Sequence, residues 1–357
     1  MNNQLKKLVA DIGGTHLRIG LSKGLEINKI SKIRYDNEAS SIKLISNYIN
    51  DFKDIDQIRI CAAGPIENEK IEITNSNLVI SKKEISEFSK IDDVVIFNDA
   101  EAACNYLPVI KKESYKTVNY GKSLNNNFAY IALGTGLGVS GVQKLKNKSV
   151  VFSGEGGYCH IPYTENDTIS RDVINIIQDD YPRISSERLI SGPGLSLIFK
   201  ALCLLKDYKS NLSSEEIVLN AVKNKKGFEY DACKILFELL GKFSASIALV
   251  YGARGGVFLS GGLLERLFPI LPNDLLLKNF LINGRMQEYV NNIPLHIIND
   301  DLVSLKGCAA YQEWAYNNKF FSDILSNWYI FSSFIISLTF MFSFRLWLLS
   351  TLPVSSP

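Results

Sequence analysis

Near its N-terminus the chain reads Ala10-Asp11-Ile12-Gly13-Gly14-Thr15-His16-Leu17-Arg18-Ile19-Gly20. An apolar run leads into Asp11 and an alternating apolar run follows Thr15, which is typical of a β-hairpin that turns at Gly13-Gly14. The glycines remove side chains from the tip, so backbone N–H groups and the Thr15 hydroxyl are able to approach a phosphate closely. Asp11 would lie beside that phosphate, where Mg²⁺ bound through water balances its charge. The alternative is an ordinary glycine hairpin with a surface aspartate.

The composition excludes several classes of protein. The 357 residues are enough for two domains, and 39 basic against 37 acidic residues give a net charge of +2. No basic block stands out, which argues against nucleic acid as a partner. The six cysteines are scattered, without a CxxC pair or a Cys/His cluster, as in a reduced cytosolic protein without a zinc site or a disulfide framework. The N-terminus has no signal-peptide pattern, so we expect a cytoplasmic protein.

The order of elements predicts an α/β fold. Residues 41–52 carry apolar side chains at helical spacing, whereas residues 58–63 form a short apolar run that ends at a Gly-Pro turn. Strands come first and helices are threaded between them. A lysine- and asparagine-rich loop over 111–127 is typical of a hinge or domain boundary.

Two polar residues, Asn98 and Asp99, follow the apolar strand 93–97, and a helix begins at once. This order places both side chains at the carboxyl edge of a sheet, where ligands bind in open α/β proteins. The alternative is that Asp99 serves only as the N-cap of the helix.

A second glycine turn lies between two apolar strands, in the run Leu133-Gly134-Thr135-Gly136-Leu137-Gly138. Its glycine spacing differs from that of a dinucleotide-binding loop, and a strand follows it where such a loop needs a helix. Similar hairpins thus occur in each half of the chain. We expect their tips to face each other across a cleft and to hold a triphosphate from both sides.

Two more glycine-rich segments carry candidate groups. The run Gly154-Glu155-Gly156-Gly157-Tyr158-Cys159-His160 presents a carboxylate and an imidazole. A third glycine-flanked strand ends in Ser260-Gly261-Gly262, where an adenine ring would lie against bare backbone.

Together these motifs resemble the bacterial glucokinases, members of the hexokinase/actin-like ATPase superfamily. The resemblance covers residues 6–316 and rests on motifs in one order: Asp-Ile-Gly-Gly-Thr-x-x-Arg, Phe-Asn-Asp, Leu-Gly-Thr-Gly-Leu-Gly, Gly-Glu-Gly-Gly, Ser-Glu-Arg-Leu-Ile-Ser-Gly-Pro-Gly and Gly-Gly-Val-Phe-Leu-Ser-Gly-Gly. Related kinases and repressors with a cysteine-rich zinc motif match less well, since that cysteine cluster is missing.

The resemblance implies a two-domain α/β fold of the actin-like ATPase (ribonuclease H-like) type with a central interdomain cleft. The expected domains are a small one over 1–109, completed by 300–316, and a large one over 110–299. The resemblance also suggests a homodimer.

The resemblance implies ATP-dependent phosphorylation of glucose at the 6-hydroxyl, with Asp99 as general base. The sugar-binding residues would be Asn75, Asn98, Asp99, Glu155 and Glu187. Residues for ATP and Mg²⁺ would come from both glycine hairpins and the third glycine strand: Ala10, Asp11, Ile12, Gly13, Gly14, Thr15, Thr135, Gly136, Gly261 and Gly262. A catalytically weak sugar or nucleotide sensor, and a kinase for another hexose, are the alternative functions.

One position departs from the family. A histidine that contacts the sugar follows Glu-Gly-Gly in the family, and this chain has Tyr158 there. His160 lies two residues further on and would point the same way in an extended segment. We hypothesise that His160, or the Tyr158 hydroxyl, takes over the sugar contact. The alternative is that His160 is a packing residue.

The C-terminal tail over 317–357 is also atypical. Residues 324–344 contain no charged side chain, and about 20 apolar residues suffice to cross a bilayer. Taken literally, 324–349 is a membrane anchor that leaves the kinase on the cytosolic face. The interpretation that we favour is a tail produced by a frameshift or read-through, because the composition changes abruptly from Lys, Asn and Ile to Phe, Ser and Leu. A helix packed on the kinase body is the third possibility.

Overall fold

The computed structural model describes residues 5–13, 16–35, 41–52, 54–73, 77–124, 126–146, 148–162 and 168–311. The predictions for Gly14, Thr15, Asn75 and the tail over 317–357 lie outside these residues. The described residues belong to one compact unit that ends at Tyr311. In this part of the chain, no helix is both long and apolar enough to cross a membrane.

The described residues form strands and helices that are interspersed along the chain. The strands are β1 (Lys6–Ile12), β2 (His16–Lys23), β3 (Glu26–Arg34), β4 (Gln57–Ala62), β5 (Ile66–Glu67), β6 (Lys70–Glu72), β7 (Val79–Ser81), β8 (Val94–Asn98), β9 (Tyr115–Asn119), β10 (Asn127–Leu133), β11 (Leu137–Lys144), β12 (Ser149–Gly154), β13 (Gly256–Ser260) and β14 (Leu295–Ile298). The helices are α1 (Ser41–Asp51), α2 (Lys82–Ser89), α3 (Asp99–Tyr106), α4 (Thr168–Asp180), α5 (Ser186–Leu189), α6 (Gly192–Leu204), α7 (Ser214–Lys223), α8 (Phe228–Val250), α9 (Gly262–Leu267), α10 (Asn273–Leu281), α11 (Gln287–Asn291) and α12 (Val303–Ala310). The predicted α/β layout is therefore present.

The first large sheet has the strand order β3-β2-β1-β4-β8. β1 pairs antiparallel with β2 and parallel with β4, so the predicted N-terminal hairpin is confirmed in its strands. The Gly13 N–H donates to the His16 carbonyl at 2.9 Å, which closes the hairpin backbone. Leu8, Val9 and Ala10 are all fully buried, because β1 is a central strand covered on both faces.

The second large sheet, β12-β11-β10-β13-β14-β9, repeats this arrangement and adds one strand. β10 pairs antiparallel with β11 and parallel with β13, so the second predicted hairpin is confirmed. The expectation of a loop throughout 111–127 is wrong, because Tyr115–Asn119 forms the edge strand β9 on β14. Tyr115 packs edge-on against Phe258 at 5.3 Å between ring centroids, a tertiary contact that the polar local sequence does not reveal.

Two helices, α3 and α12, each follow a strand of one large sheet and pack on the other large sheet. α3 follows β8 of the first sheet, but its Ala103 and Cys104 pack into a cluster with Tyr130 of the second sheet. α12 follows β14 of the second sheet, and its Cys308 packs with Val9 of the first. The crossing of these helices joins the carboxyl ends of the two sheets, where the candidate site lies.

Candidate functional site

Asp11 ends the central strand of the first sheet between two hydrogen-bond donors. Arg18 lies opposite it on β2 and Cys61 lies beside it on β4. Arg18 Nη1 is 3.2 Å from Asp11 Oδ2, and Cys61 Sγ is 3.7 Å from Oδ1. Burial raises the pKa of Asp11, while the Arg18 guanidinium opposes the rise.

The surroundings of Asp11 fit a hard cation. The side chain is 15% exposed, so its carboxylate is still reachable from the open edge of the sheet. Arg18 lies 3.2 Å away and compensates only part of the cost of burying the charge, which favours a further positive group at this position. Mg²⁺ keeps several water molecules and needs only one or two carboxylates beside substrate phosphates. A single aspartate here therefore satisfies the protein's share of such a site.

Asn98 and Asp99 lie at the junction of β8 and α3. Asn98 is the N-cap, because its Oδ1 accepts the Ala100 N–H at 2.9 Å while its Nδ2 donates to the Gly64 carbonyl at 3.0 Å. Asp99 is the first helical residue and not the N-cap, which corrects that alternative. Its Oδ1 also accepts from the Ala100 N–H, at 2.8 Å. Asn98 thus makes the main capping contact, and the Asp99 carboxylate is oriented at the helix N-terminus.

The electrostatic surroundings of Asp99 suit a base. Burial and then the negative charge of Asp11 raise the pKa of Asp99 to about 6, against the lowering effect of the Ala100 N–H. Glu155 adds a smaller rise, which places its charge within reach of Asp99. A carboxyl with this pKa is ionised at neutral pH but is far more basic than an exposed aspartate.

Glu187 connects three of the predicted segments. Its Oε2 accepts the Leu137 N–H at 2.9 Å, which ties α5 to the second glycine hairpin. A Cβ on Gly136 would lie 2.8 Å from the same oxygen, so a side chain there would displace the Glu187 carboxylate from this position. The Tyr158 side chain lies near Glu187, whose charge raises the pKa of that phenol.

The structure separates the two candidates for the contact that the family's histidine makes. Tyr158 lies in a short 3₁₀ helix over Gly156–Tyr158, is 53% exposed and lies near enough to Glu187 for that charge to raise its pKa. His160 is exposed, and its carbonyl accepts the Ser186 hydroxyl at 3.1 Å. The described contact of His160 with α5 is therefore made through its backbone.

The second hairpin and the third glycine strand adjoin each other. The Gly134 N–H donates to the Gly136 carbonyl at 3.0 Å, and the Gly134 carbonyl accepts from the Gly192 N–H at 2.9 Å. Gly261 has a φ of +114°, and a Cβ there would lie 2.1 Å from the Leu133 carbonyl oxygen. A Cβ on Gly262 would meet no heavy atom within 4 Å, which leaves open space beside this backbone.

The described site thus brings predicted phosphate-binding and sugar-binding residues near each other. The charges of Asp11 and Glu155 both raise the pKa of Asp99, and Glu187 contacts the second hairpin. Sequence reasoning gave no role to Cys61, Tyr35 or Leu137. Tyr35 donates to the Gly13 carbonyl. The strand register of β4 was the only signal for Cys61, and no local signal identified Leu137, since its contribution is a backbone N–H.

A family model described as Glucokinase matches residues 8–315 of the chain. The chain belongs to the glucokinase family. A glucokinase of Colwellia psychrerythraea is 29% identical over 321 residues, which cover 87% of this chain and 97% of that protein. The crystal structure of a glucokinase from an Antarctic psychrotroph has a TM-score of 0.76 at 25% identity and covers 85% of this chain and 98% of that one. A ROK hexokinase from Thermus thermophilus has a TM-score of 0.61 at 16% identity, covering 86% of this chain and 97% of that chain, and shows the shared fold alone.

Membership of the glucokinase family and the two-domain actin-like ATPase fold, both predicted from the motifs, are confirmed. Both large sheets begin with a glycine hairpin and continue into parallel strands, which is the internal repetition that the motifs indicated.

Proposed function

We propose that this protein transfers the γ-phosphoryl group of ATP to the 6-hydroxyl of glucose. The observation that carries the proposal is the placement of the Asp99 carboxylate at the junction of β8 and α3, where it accepts the Ala100 N–H at 2.8 Å and feels the charge of Asp11. The family match and the relatives named glucokinase support this reaction and this substrate.

Asp99 acts as the general base in this proposal. The 6-hydroxyl gives its proton to the Asp99 carboxylate while its oxygen attacks the γ-phosphorus. The bond from that phosphorus to the bridging oxygen of ADP breaks, and ADP leaves with the electron pair. The Ala100 N–H, 2.8 Å from Oδ1, orients the carboxylate for this transfer.

The sugar is held by side chains that suit a polyol. Asn98, Glu155 and Glu187 offer amide and carboxylate groups for directional hydrogen bonds to hydroxyls. Asn75 is assigned to the sugar on the resemblance alone. The proximity of the Tyr158 phenol to Glu187 supports Tyr158 over His160 as the replacement for the family's histidine.

ATP is bound by both glycine hairpins and the third glycine strand. We assign its phosphates to 10–15 with Thr135 and Gly136, and its adenosine to Gly261 and Gly262. Asp11 would hold Mg²⁺ through water, and the metal would neutralise the charge of the phosphates. Arg18 keeps the Asp11 carboxylate oriented from the opposite side, at 3.2 Å.

We assign the small domain to 1–109, completed by 300–316. The packing of α12 on the first sheet supports this assignment. The large domain comprises 110–299. Closure of the two domains on the sugar would exclude water, which competes with the hydroxyl as phosphoryl acceptor.

We further propose a cytoplasmic enzyme that forms a homodimer. The chemistry requires ATP and a small sugar and no nucleic acid. Light scattering coupled to gel filtration tests the dimer on the full chain and on a chain that ends at Tyr316. Fractionation of cells that express either chain tests whether the 317–357 segment contacts a membrane.

The proposed reaction is tested by measuring ADP release from the full chain with glucose, mannose, fructose or N-acetylglucosamine. We expect glucose to be strongly preferred and the Asp99→Asn variant to lose at least about 100-fold in kcat. Asp92→Asn, an exposed aspartate two residues before the strand that leads to Asp99, is the control and should retain wild-type turnover. Preference for another sugar would replace glucose as the assigned substrate. Full activity of Asp99→Asn would overturn the role of Asp99 as general base.

The departure at Tyr158 favours one second candidate, a catalytically weak sugar sensor. Calorimetry with glucose and ADP distinguishes it from the kinase. A protein that binds both ligands but releases no ADP with any sugar would be the sensor, and Tyr158→His would then be the first variant to restore turnover.

A further inference from the structure

Cys61 is a fully buried residue of β4 for which the phosphoryl transfer described above requires no direct role. The parallel register of β1 and β4 pairs it with Asp11, so the two side chains project from the same face of the sheet. Cys61 Sγ lies 3.7 Å from Asp11 Oδ1, within reach for a thiol hydrogen bond. A buried thiol beside a carboxylate keeps its proton and is therefore the donor in this pair.

The other oxygen of Asp11 is engaged from the opposite side. Arg18 pairs with Asp11 in the antiparallel register of β1 and β2, and its Nη1 lies 3.2 Å from Oδ2. Each carboxylate oxygen therefore meets a donor from a different neighbouring strand. The terminal torsion of an aspartate is broad and twofold, so partners on both oxygens are needed to fix the plane of the carboxylate.

The thiol is itself held in place by α12. Cys308 of α12 packs in the same buried cluster as Cys61. Cys308 Sγ also lies 3.8 Å from the Ala10 carbonyl oxygen, the residue before Asp11. Cys61 and Cys308 are both fully buried, so bulk water does not compete for these bonds. The position of the Asp11 carboxylate is thereby linked to the packing of α12 on the first sheet.

We propose that Cys61 is a positioning residue whose thiol, opposite Arg18, sets the orientation in which the Asp11 carboxylate receives the metal–nucleotide complex. The inference rests on the proposed function, in which Asp11 holds Mg²⁺ through water. Cys61 acts only through Asp11 and touches neither sugar nor nucleotide.

The test measures ADP binding to the full chain by calorimetry, once with excess Mg²⁺ and once with a chelator. The dissociation constant with chelator, divided by that with Mg²⁺, reports how strongly Mg²⁺ enhances ADP binding. We expect Cys61→Val to lower this ratio about fivefold, the effect of one ordinary hydrogen bond, while the affinity for metal-free ADP stays unchanged. Cys61→Ala removes the same donor without adding volume. It therefore tests the inference even if the valine variant does not fold.

Cys61→Ser keeps a donor at this position and should restore the wild-type ratio. Cys233→Val, a fully buried thiol of α8, is the control for the substitution itself and should leave the ratio unchanged. The kcat should fall with the ratio in Cys61→Val, whereas the KM for glucose should not change.

A wild-type ratio in both Cys61→Val and Cys61→Ala would overturn the inference and leave the proposed kinase intact. Failure of Cys61→Ser to restore the ratio would overturn it as well, since packing of the sulfur would then explain the loss. A wild-type protein whose ADP affinity ignores Mg²⁺ would refute the metal role of Asp11, and with it this inference. Sugar-dependent ADP release, measured separately, decides whether the proposed reaction also fails.

Discussion

Gly307 of α12 lies directly against the backbone of Ala102 in α3: a Cβ built on Gly307 would lie 1.7 Å from the Ala102 carbonyl oxygen. The helices that cross here belong to different sheets, and each packs on the sheet that the other one follows. Small residues on both sides, Ala103 of α3 and Ala309 of α12 among them, allow the two backbones to approach this closely. This contact fixes the distance between α12, which covers Cys61, and α3, which begins at Asp99.

We predict that Gly307→Ala destabilises the protein, although alanine favours a helix over glycine by about 1 kcal/mol. The added methyl has no space, so the helices must separate, at an expected net cost of about 2–3 kcal/mol. Thermal unfolding of the full chain measures the loss. Gly154→Ala is the control, since a Cβ on Gly154 would meet no heavy atom within 4 Å. Equal melting temperatures for Gly307→Ala and the wild type would contradict the close crossing.

A second prediction concerns the cost of keeping Asp99 ionised. Because burial and Asp11 raise its pKa to about 6, the folded protein binds this proton more tightly than the unfolded chain does. Stability therefore falls as the pH rises from about 4 to about 6, and the full penalty is present above that range. Asp99→Asn removes the charge and should gain about 1–2 kcal/mol at pH 7.5, a value reduced for the part of the side chain that water still reaches.

Urea unfolding at pH 7.5 and at pH 4 measures this gain, which should shrink at the lower pH, where the wild-type carboxyl is protonated in the folded state. The control is Asp92→Asn at the same two pH values, for which no such change is expected. A less stable Asp99→Asn at pH 7.5 would show that the carboxylate is needed for folding and would contradict the raised pKa.

The same group should control the pH dependence of turnover. A general base must be unprotonated in the free enzyme, so kcat/KM for glucose is expected to fall tenfold per pH unit below about 6 and to level off above it. Replacing Asp11 by Asn removes the second cause of the shift and should move the remaining activity to a lower apparent pKa. A profile that is flat between pH 5 and pH 7.5 would exclude Asp99 as the base.

How far the sequence predicted this molecule depends on the range of the interaction. The hairpins around Gly13 and Gly136 follow from local turn chemistry, and the strand that ends at Asn98 follows from a short apolar run. β9 was missed because its strand form depends on pairing with β14 and on the ring contact of Tyr115 with Phe258. The crossing of α3 and α12 was also out of reach, since it joins residues about two hundred positions apart in the chain.

Within the candidate site the same limit applies. Motif order supplied Asp11, Asp99 and Glu187, but the donors that orient them come from register and from backbone. Cys61 lies beside Asp11 only because of how β1 and β4 pair, and Leu137 contributes an N–H that carries no side-chain signature.

The fourth prediction compares Tyr158 and His160, the two candidates to replace the family's histidine. Tyr158→Phe removes the hydroxyl that lies near Glu187 and is proposed to contact the sugar, so the KM for glucose should rise about three- to tenfold with little change in kcat. His160→Ala should have the smaller effect, because the described contact of His160 with Ser186 is made by its carbonyl. Steady-state kinetics with glucose decides between them. The reverse ranking would assign the sugar contact to His160.

The last prediction uses adjacent glycines that differ in their surroundings. Gly261 has a φ of +114° and a Cβ would lie 2.1 Å from the Leu133 carbonyl oxygen, whereas a Cβ on Gly262 would meet no heavy atom within 4 Å. Gly261→Ala should therefore destabilise the fold by about 2 kcal/mol or more, from both the left-handed backbone and the collision. Gly262→Ala should melt close to the wild-type temperature but raise the KM for ATP several-fold, because its methyl enters the space assigned to adenosine. Melting curves and ATP titrations of both variants measure this separation of effects. An unchanged KM for ATP in Gly262→Ala would contradict the assignment of adenosine to this strand end, even if Gly261→Ala unfolds as expected.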